Sequence, residues 1–140
     1  MQVFSLQKEQ EWNPLKHVEK VLGRIAEGDV TVACWEPGQV SPYHCHPEAT
    51  EIYFCFEGGG KIRTPERIID VVPGSFVVHP RGELHEYING PQRSLLFRVR
   101  YGTAMFARRA SWETRPGFTQ SREDVEFFRN FPERLSAEVR

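Results

Sequence analysis

His44 and His46 stand one residue apart, and their types and spacing suit metal chemistry. On a β-strand, residues i and i+2 share a face, so both imidazoles point one way and Cys45 the other. Glu51 follows five residues later, beyond the polar Pro47-Glu48-Ala49-Thr50 turn, which returns it to the histidines from a neighbouring strand. His85 arrives from a later strand, just after the Pro80-Arg81-Gly82 turn. Three imidazoles and one carboxylate can therefore converge on one ion. Imidazole suits zinc, copper, iron and nickel, whereas a carboxylate suits harder ions such as manganese or iron(II). Four protein ligands on a six-coordinate ion leave two positions open, as a catalytic metal requires. A closed structural zinc site more often uses thiolates. The three cysteines, Cys34, Cys45 and Cys55, form no Cys-x-x-Cys pair.

The elements that must position these groups are short strands. Val30–Trp35, Tyr43–His46, Glu51–Phe56, Lys61–Thr64, Arg67–Val72, Ser75–His79, His85–Ile88 and Ser94–Tyr101 carry β-branched or aromatic residues. Turns rich in glycine, proline and asparagine separate them, among them Gly58-Gly59-Gly60, Pro73-Gly74 and Asn89-Gly90-Pro91. Seven or eight strands without intervening helices predict a sandwich or closed barrel. The first 25 residues are mixed, with Asn13-Pro14 as a turn or helix start. Near the end, Ser121-Arg122-Glu123-Asp124 resembles a capping box, and Val125, Phe128 and Phe131 follow at helical spacing. This predicts a short C-terminal helix laid against the barrel or a second subunit.

The arrangement Gly38-(five residues)-His44-Cys45-His46-(four residues)-Glu51-(six residues)-Gly58 resembles the first motif of the cupin superfamily. Gly74-(five residues)-Pro80-Arg81-Gly82-(two residues)-His85-(three residues)-Asn89 resembles the second. The resemblance implies an all-β, double-stranded β-helix (jelly-roll) barrel, often dimeric, with metal ligands at His44, His46, Glu51 and His85. The chain is expected to be a single domain over 1–140, with a core barrel at about 28–110 and a C-terminal extension at about 111–140. One divalent transition-metal ion is expected, Fe2+ first, with Mn2+, Zn2+ or Ni2+ as alternatives. Fold and metal set do not choose a reaction, since the superfamily holds dioxygenases, isomerases, lyases and plain binders.

Strand alternation extends the site. If Glu51 faces inward, so do Tyr53 and Cys55, while Ile52, Phe54 and Phe56 pack the outer layer. His85 brings Tyr87 with it. On the last strand Leu95, Phe97, Val99 and Tyr101 share one face, and Leu96, Arg98 and Arg100 the other. Which face looks inward is open at this point. Tyr53 and Tyr87 are the candidate catalytic residues, and Arg98, Arg100 and Cys55 the candidate substrate contacts. Cys34 and Cys45 read as small core residues, His79 as structural or surface, and Trp35 as a mouth or subunit-contact residue.

The 140 residues carry a net charge of −1, which attracts neither nucleic acid nor a membrane surface. Arginine is concentrated late in the chain, from Arg93 to Arg140. Most of this charge is expected on solvated surface, with one or two arginines available to grip a carboxylate or phosphate. No apolar run is long enough to span a bilayer. Met1–Gln10 has no apolar core of an export signal, so the cytoplasm is the expected compartment. A metal-dependent oxidoreductase of the dioxygenase type, acting on a small aromatic or keto acid, is the leading reading. An isomerase or lyase on a sugar or keto acid, or a small-molecule binding protein, are the alternatives. A homodimer is expected through Phe54, Phe56 and the Phe127-Phe128-Phe131 cluster.

Overall fold

The computed structural model describes residues 1–131. The end of the expected C-terminal extension, with Arg134 and Arg140, lies outside the described residues. The elements run α1 (Leu6–Glu9), β1 (Val18–Ile25), β2 (Gly28–Trp35), β3 (Tyr43–Cys45), β4 (Ala49–Glu57), β5 (Gly60–Arg63), β6 (Ile68–Val71), β7 (Phe76–His79), β8 (Glu86–Asn89), β9 (Ser94–Gly102), β10 (Arg108–Ser111) and α2 (Arg122–Arg129). A five-stranded sheet has the order β1-β2-β9-β4-β7, and a three-stranded sheet the order β6-β5-β8. A β10-β3 pair continues the second layer through single bridges, His44 to His85 and Val40 to Ile88. Two antiparallel layers closing on one interior form the double-stranded β-helix.

Cross-strand register grades that interior. Asp29, Arg100, Glu51 and His79 lie in one row across β2, β9, β4 and β7. Thr31, Arg98, Tyr53 and Val77 form the next row, and Ala33, Leu96 and Cys55 the one after. The barrel is thus charged at one end and apolar at the other. The apolar end holds Ala33, Trp35, Cys55, Ile62, Val71, Tyr87 and Leu96. Gly58 closes a turn there with φ +73°, and a Cβ on it would meet Arg93 O at 2.2 Å. Only glycine suits both conditions.

On the outer face, Val18 and Leu22 of β1 pack with Val32, Cys34 and Leu95 under Leu6 and Trp12. The sequence did not announce β1, because a bulge between Val21 and Gly23 breaks its alternation. It did not announce β10 either: Arg108-Arg109-Ala110-Ser111 has no strand pattern and forms by pairing with β3. In α2, Ser121 Oγ accepts the Asp124 N–H at 3.1 Å, as the capping pattern required. Phe127 and Phe128, with Phe131 just beyond the helix, cover Cys45, Leu84, Tyr43 and Ala110 of the same chain. Trp35 is wholly buried rather than at a mouth or subunit contact, and His17 stacks on it at 4.0 Å.

Leu96 sits between Ala33 and Cys55 in register, inside the apolar end. Leu96→Ala should cost about 2–5 kcal/mol. Urea unfolding should show a lower midpoint with an unchanged slope.

Candidate metal centre

His44 and His85 exchange both backbone hydrogen bonds, at 2.9 and 2.8 Å. This single bridge between β3 and the segment before β8 sets their rings side by side, with centroids 4.5 Å apart. His46 follows on from β3, its ring 5.1 Å from that of His44. Glu51 reaches them from β4 in the opposite layer. Its carboxylate is fully buried. His85 Nε2 lies 3.1 Å from Glu51 Oε1, and His46 Nε2 lies 2.9 Å from Glu51 Oε2.

The backbone fixes the imidazoles. His44 Nδ1 lies 2.7 Å from Pro42 O, His46 Nδ1 3.0 Å from Phe106 O, and His85 Nδ1 2.9 Å from Glu83 O. A carbonyl oxygen only accepts, so in each ring Nδ1 donates and Nε2 is left for an ion or, without one, for a proton. The Nε2 atoms of His46 and His85 lie beside a carboxylate that only accepts. A cation, whether proton or metal ion, must stand between them. His46 Nε2 and Glu51 Oε2 are buried and face each other at 2.9 Å, yet neither has a hydrogen bond of good geometry, which leaves both able to take an ion. His44, Glu51 and His85 offer ligand atoms within 4.8 Å of one another, and His46, the fourth expected ligand, is not in that group but meets Glu51 Oε2 at 2.9 Å. The donor set fits a divalent ion, and the carbonyl contacts supply the outer support that orients ligating histidines.

Burial alone would raise the Glu51 carboxyl. His46 and His85, with Arg98 Nη1 at 3.8 Å, outweigh it and hold the group well below the usual carboxylate range. Burial, then the neighbouring His85 and His46, push His44 well down. His79 is buried and stacks on His85 at 3.7 Å with nearly parallel rings. Its Nδ1 donates to Glu83 Oε2 at 2.6 Å. Burial and His85 lower it to about 4. The sequence left its position between structure and surface; it is the floor under a metal-binding candidate.

A cavity of about 730 Å³ opens onto His44 and His46. Tyr53, Arg98 and Arg100 line it, so the arginine face of β9 looks inward. Both arginines are engaged: Arg98 Nη1 donates to Glu19 Oε1, and Arg100 makes two hydrogen bonds to Asp29, at 3.1 and 2.6 Å. Tyr87 and Cys55 belong instead to the apolar end. The Tyr87 hydroxyl donates to Asn89 Oδ1 at 2.9 Å, and the Cys55 thiol to Glu57 O at 3.6 Å. Inward they are, but neither lines the cavity, because the barrel is deep enough to separate its two ends. The sequence reading missed Glu19, Phe106, Arg109 and Trp112 in the lining. They lie on β1, on β10 and in the segments flanking β10, where no strand pattern was legible. The His17-x-Glu19 pair was the one available signal.

Two outcomes test this geometry. Wild-type protein given Fe2+ or Zn2+ and then desalted should retain about one ion per chain, and His44→Ala and Glu51→Gln should retain almost none by elemental analysis. In the metal-free protein, His17, His44 and His79 are all lowered, chiefly by burial. The unfolded chain takes up those protons near the ordinary value of 6.5, the folded His79 only near 4. Stability should therefore fall as the pH drops below roughly 7. The depressed Glu51 adds a further loss below its ordinary value of 4.5. Urea unfolding at several pH values checks the sign, and a flat profile would contradict it.

Comparison with known proteins adds the family. A family model described as a cupin domain matches residues 17–97, more than half of the chain. No curated protein matches the sequence. Among solved structures, TT1209 from Thermus thermophilus is 23% identical, with a TM-score of 0.68 over 73% of this chain and 98% of that one. An uncharacterized conserved protein with a double-stranded β-helix domain from Klebsiella pneumoniae is 18% identical, with a TM-score of 0.73 over 80% of this chain and 99% of that one. A sugar phosphate isomerase from a cupin superfamily, from Silicibacter pomeroyi, is 20% identical, with a TM-score of 0.59 over 69% and 66%. At these identities the likeness is one of fold. By its fold, its two motifs and the family match, the chain belongs to the cupin family.

Proposed function

We propose that this chain is a metal-dependent enzyme acting on a small organic acid. The observation that carries this reading is the 730 Å³ cavity in which His44 and His46 share a lining with Tyr53 and Arg98. Its size suits a small-molecule ligand. The proposed ligands are His44, His46, Glu51 and His85, and the ion is divalent, Fe2+ first, with Mn2+, Zn2+ or Ni2+ as alternatives. When bound, such an ion supplies open coordination positions and Lewis acidity.

The chain's own residues do the rest. Burial, then the Glu51 charge, raise the Tyr53 phenol well above its ordinary range, so it keeps its proton. Arg98 Nη1, at 3.5 Å, is placed to donate to the Tyr53 oxygen, leaving the Tyr53 O–H free to donate to a substrate oxygen. Glu19 and Thr31 hold Arg98 in turn. Tyr87 is occupied by Asn89, so we assign the hydroxyl role to Tyr53.

A dioxygenase-type oxidation of an aromatic or keto acid is the first reading, favoured by Phe106 and Trp112 in the wall. An isomerase or lyase is the second. It is favoured by Glu19, a second carboxylate in the cavity. Together with Tyr53, Glu19 supplies the acid–base pair such a reaction needs. Oxygen uptake by Fe2+-loaded protein across aromatic and keto acids should identify the first. Deuterium incorporation from D2O by Zn2+- or Mn2+-loaded protein, without oxygen uptake, should identify the second. Ligand-dependent stabilisation with neither reaction would show a binding protein and overturn the enzymatic reading. Tyr53→Phe should retain the ion and lose about 10²-fold or more in kcat.

The outer face of β9, β4 and β7 presents Ile52, Phe54, Phe56, Phe76, Phe97 and Val99 around a groove of about 330 Å³. We assign a second copy of the chain to it. Sedimentation showing only monomer would sink that assignment.

A further inference from the structure

The cavity wall is not evenly charged. Its inner cations are matched, buried Arg98 by Glu19 and half-buried Arg100 by Asp29. Its outer cations are not. Lys16, Arg109 and Arg115 line the cavity and are exposed, and none pairs with a carboxylate among the described residues. Arg115 lies over the Trp112 ring at 4.9 Å, while the side chains of Lys16 and Arg109 make no contact of this kind. Of the two carboxylates in the lining, Glu19 is taken by Arg98, and Glu11 has no ion pair among the described residues.

The three cations come from three separate stretches of chain. Lys16 precedes β1, Arg109 is on β10, and Arg115 follows Trp112. The register makes Arg109 the cross-strand partner of His44. Directly opposed residues on paired strands project to one face, so Arg109 is aimed to the same side as the His44 ring. Trp112 is held by a hydrogen bond from Nε1 to Val40 O at 2.9 Å. A second hollow of about 390 Å³ shares Lys16, His17, Trp112 and Arg115 with the first. Lys16 and Arg115 therefore stand where the two hollows meet, and Arg109 lines the first alone. Elsewhere in the described chain most arginines pair: Arg63 with Glu86, Arg81 with Glu48, Arg93 with Glu36, Arg108 with Asp124. A solvated surface needs no such convergence on one cavity.

We propose that the substrate carries a second anionic group, a phosphate or a carboxylate, and that Arg109, Arg115 and Lys16 receive it at the outer end of the cavity. This rests on the reading above in that the same molecule also meets the ion. Guanidinium forks suit either oxyanion, and three cations meet a dianion in full. The arrangement selects for acids bearing charge at both ends, and a monoacid of the same size leaves the rim unmatched.

Isothermal titration of metal-free protein with inorganic phosphate, and separately with succinate, tests the rim without the ion. The wild type should bind at least one of the two saturably, and the stronger of them names the preferred group. Arg109→Gln and Arg115→Gln should each weaken that affinity about tenfold. Arg67→Gln, in the distant β5-β6 hairpin, should leave it unchanged. No saturable binding of either probe, or equal affinity in Arg109→Gln and wild type, overturns the proposal. Ion content measured on reloaded samples keeps the two readings apart. A wild type that holds its ion but no anion loses the rim and keeps the metal. A wild type that holds no ion but binds the anion through Arg109 loses the metal and keeps the rim.

Discussion

A carboxylate with no exposure to solvent must be surrounded by positive charge or donors, and Glu51 is such a group. It sits mid-strand on β4, between Arg100 on one neighbour and His79 on the other. His46, His85 and Arg98 face its oxygens. Each of these is fixed in turn, the imidazoles by backbone carbonyls and Arg98 by Glu19. Remove the carboxylate and several buried cationic or basic groups lose the reason for their placement. The polar end of the barrel is organised outward from this one group.

The apolar end performs the complementary task. Trp35, Leu96, Cys55 and Tyr87 close the barrel with few polar groups: the Tyr87 hydroxyl on Asn89, the Cys55 thiol on Glu57 O and the buried Trp35 Nε1. Burial there supplies the stability that an interior of charged rows cannot, since buried ion pairs contribute little net energy. Both ends lie on the same strands, so two residues of register separate a ligand from a core side chain. Tyr53 and Cys55 show the step: both pack in the core cluster, but only Tyr53 also lines the cavity.

The legible part of this protein was the part governed by spacing. His44, His46, Glu51 and His85 lie in a frame of turn residues, and those turns dictate which strands meet. The inward alternation of Tyr53, Cys55 and Tyr87 also followed from period two. How deep each one sits did not, because depth depends on barrel length and strand stagger rather than on alternation. The orientation of β9 was undecidable because both of its faces carry apolar residues, and the inward placement of Arg98 and Arg100 depends on distant partners, Glu19 and Asp29. β1 and β10 were hidden for different reasons, a bulge in the first and partner-induced pairing in the second. Much of the cavity wall comes from these two strands and their flanks.

The bond from His46 Nδ1 to Phe106 O joins a ligand candidate to the chain 60 residues later. Phe106 precedes β10, which pairs with the histidine strand and is clasped by α2 through Arg108 and Asp124. The late segment therefore steadies the centre through main-chain atoms, whose chemistry is the same whatever side chains surround them. Its own side chains, Phe106, Arg109, Trp112 and Arg115, face the cavity. Such a division lets substitutions in this stretch change what the pocket admits without changing the atom that orients the His46 ring.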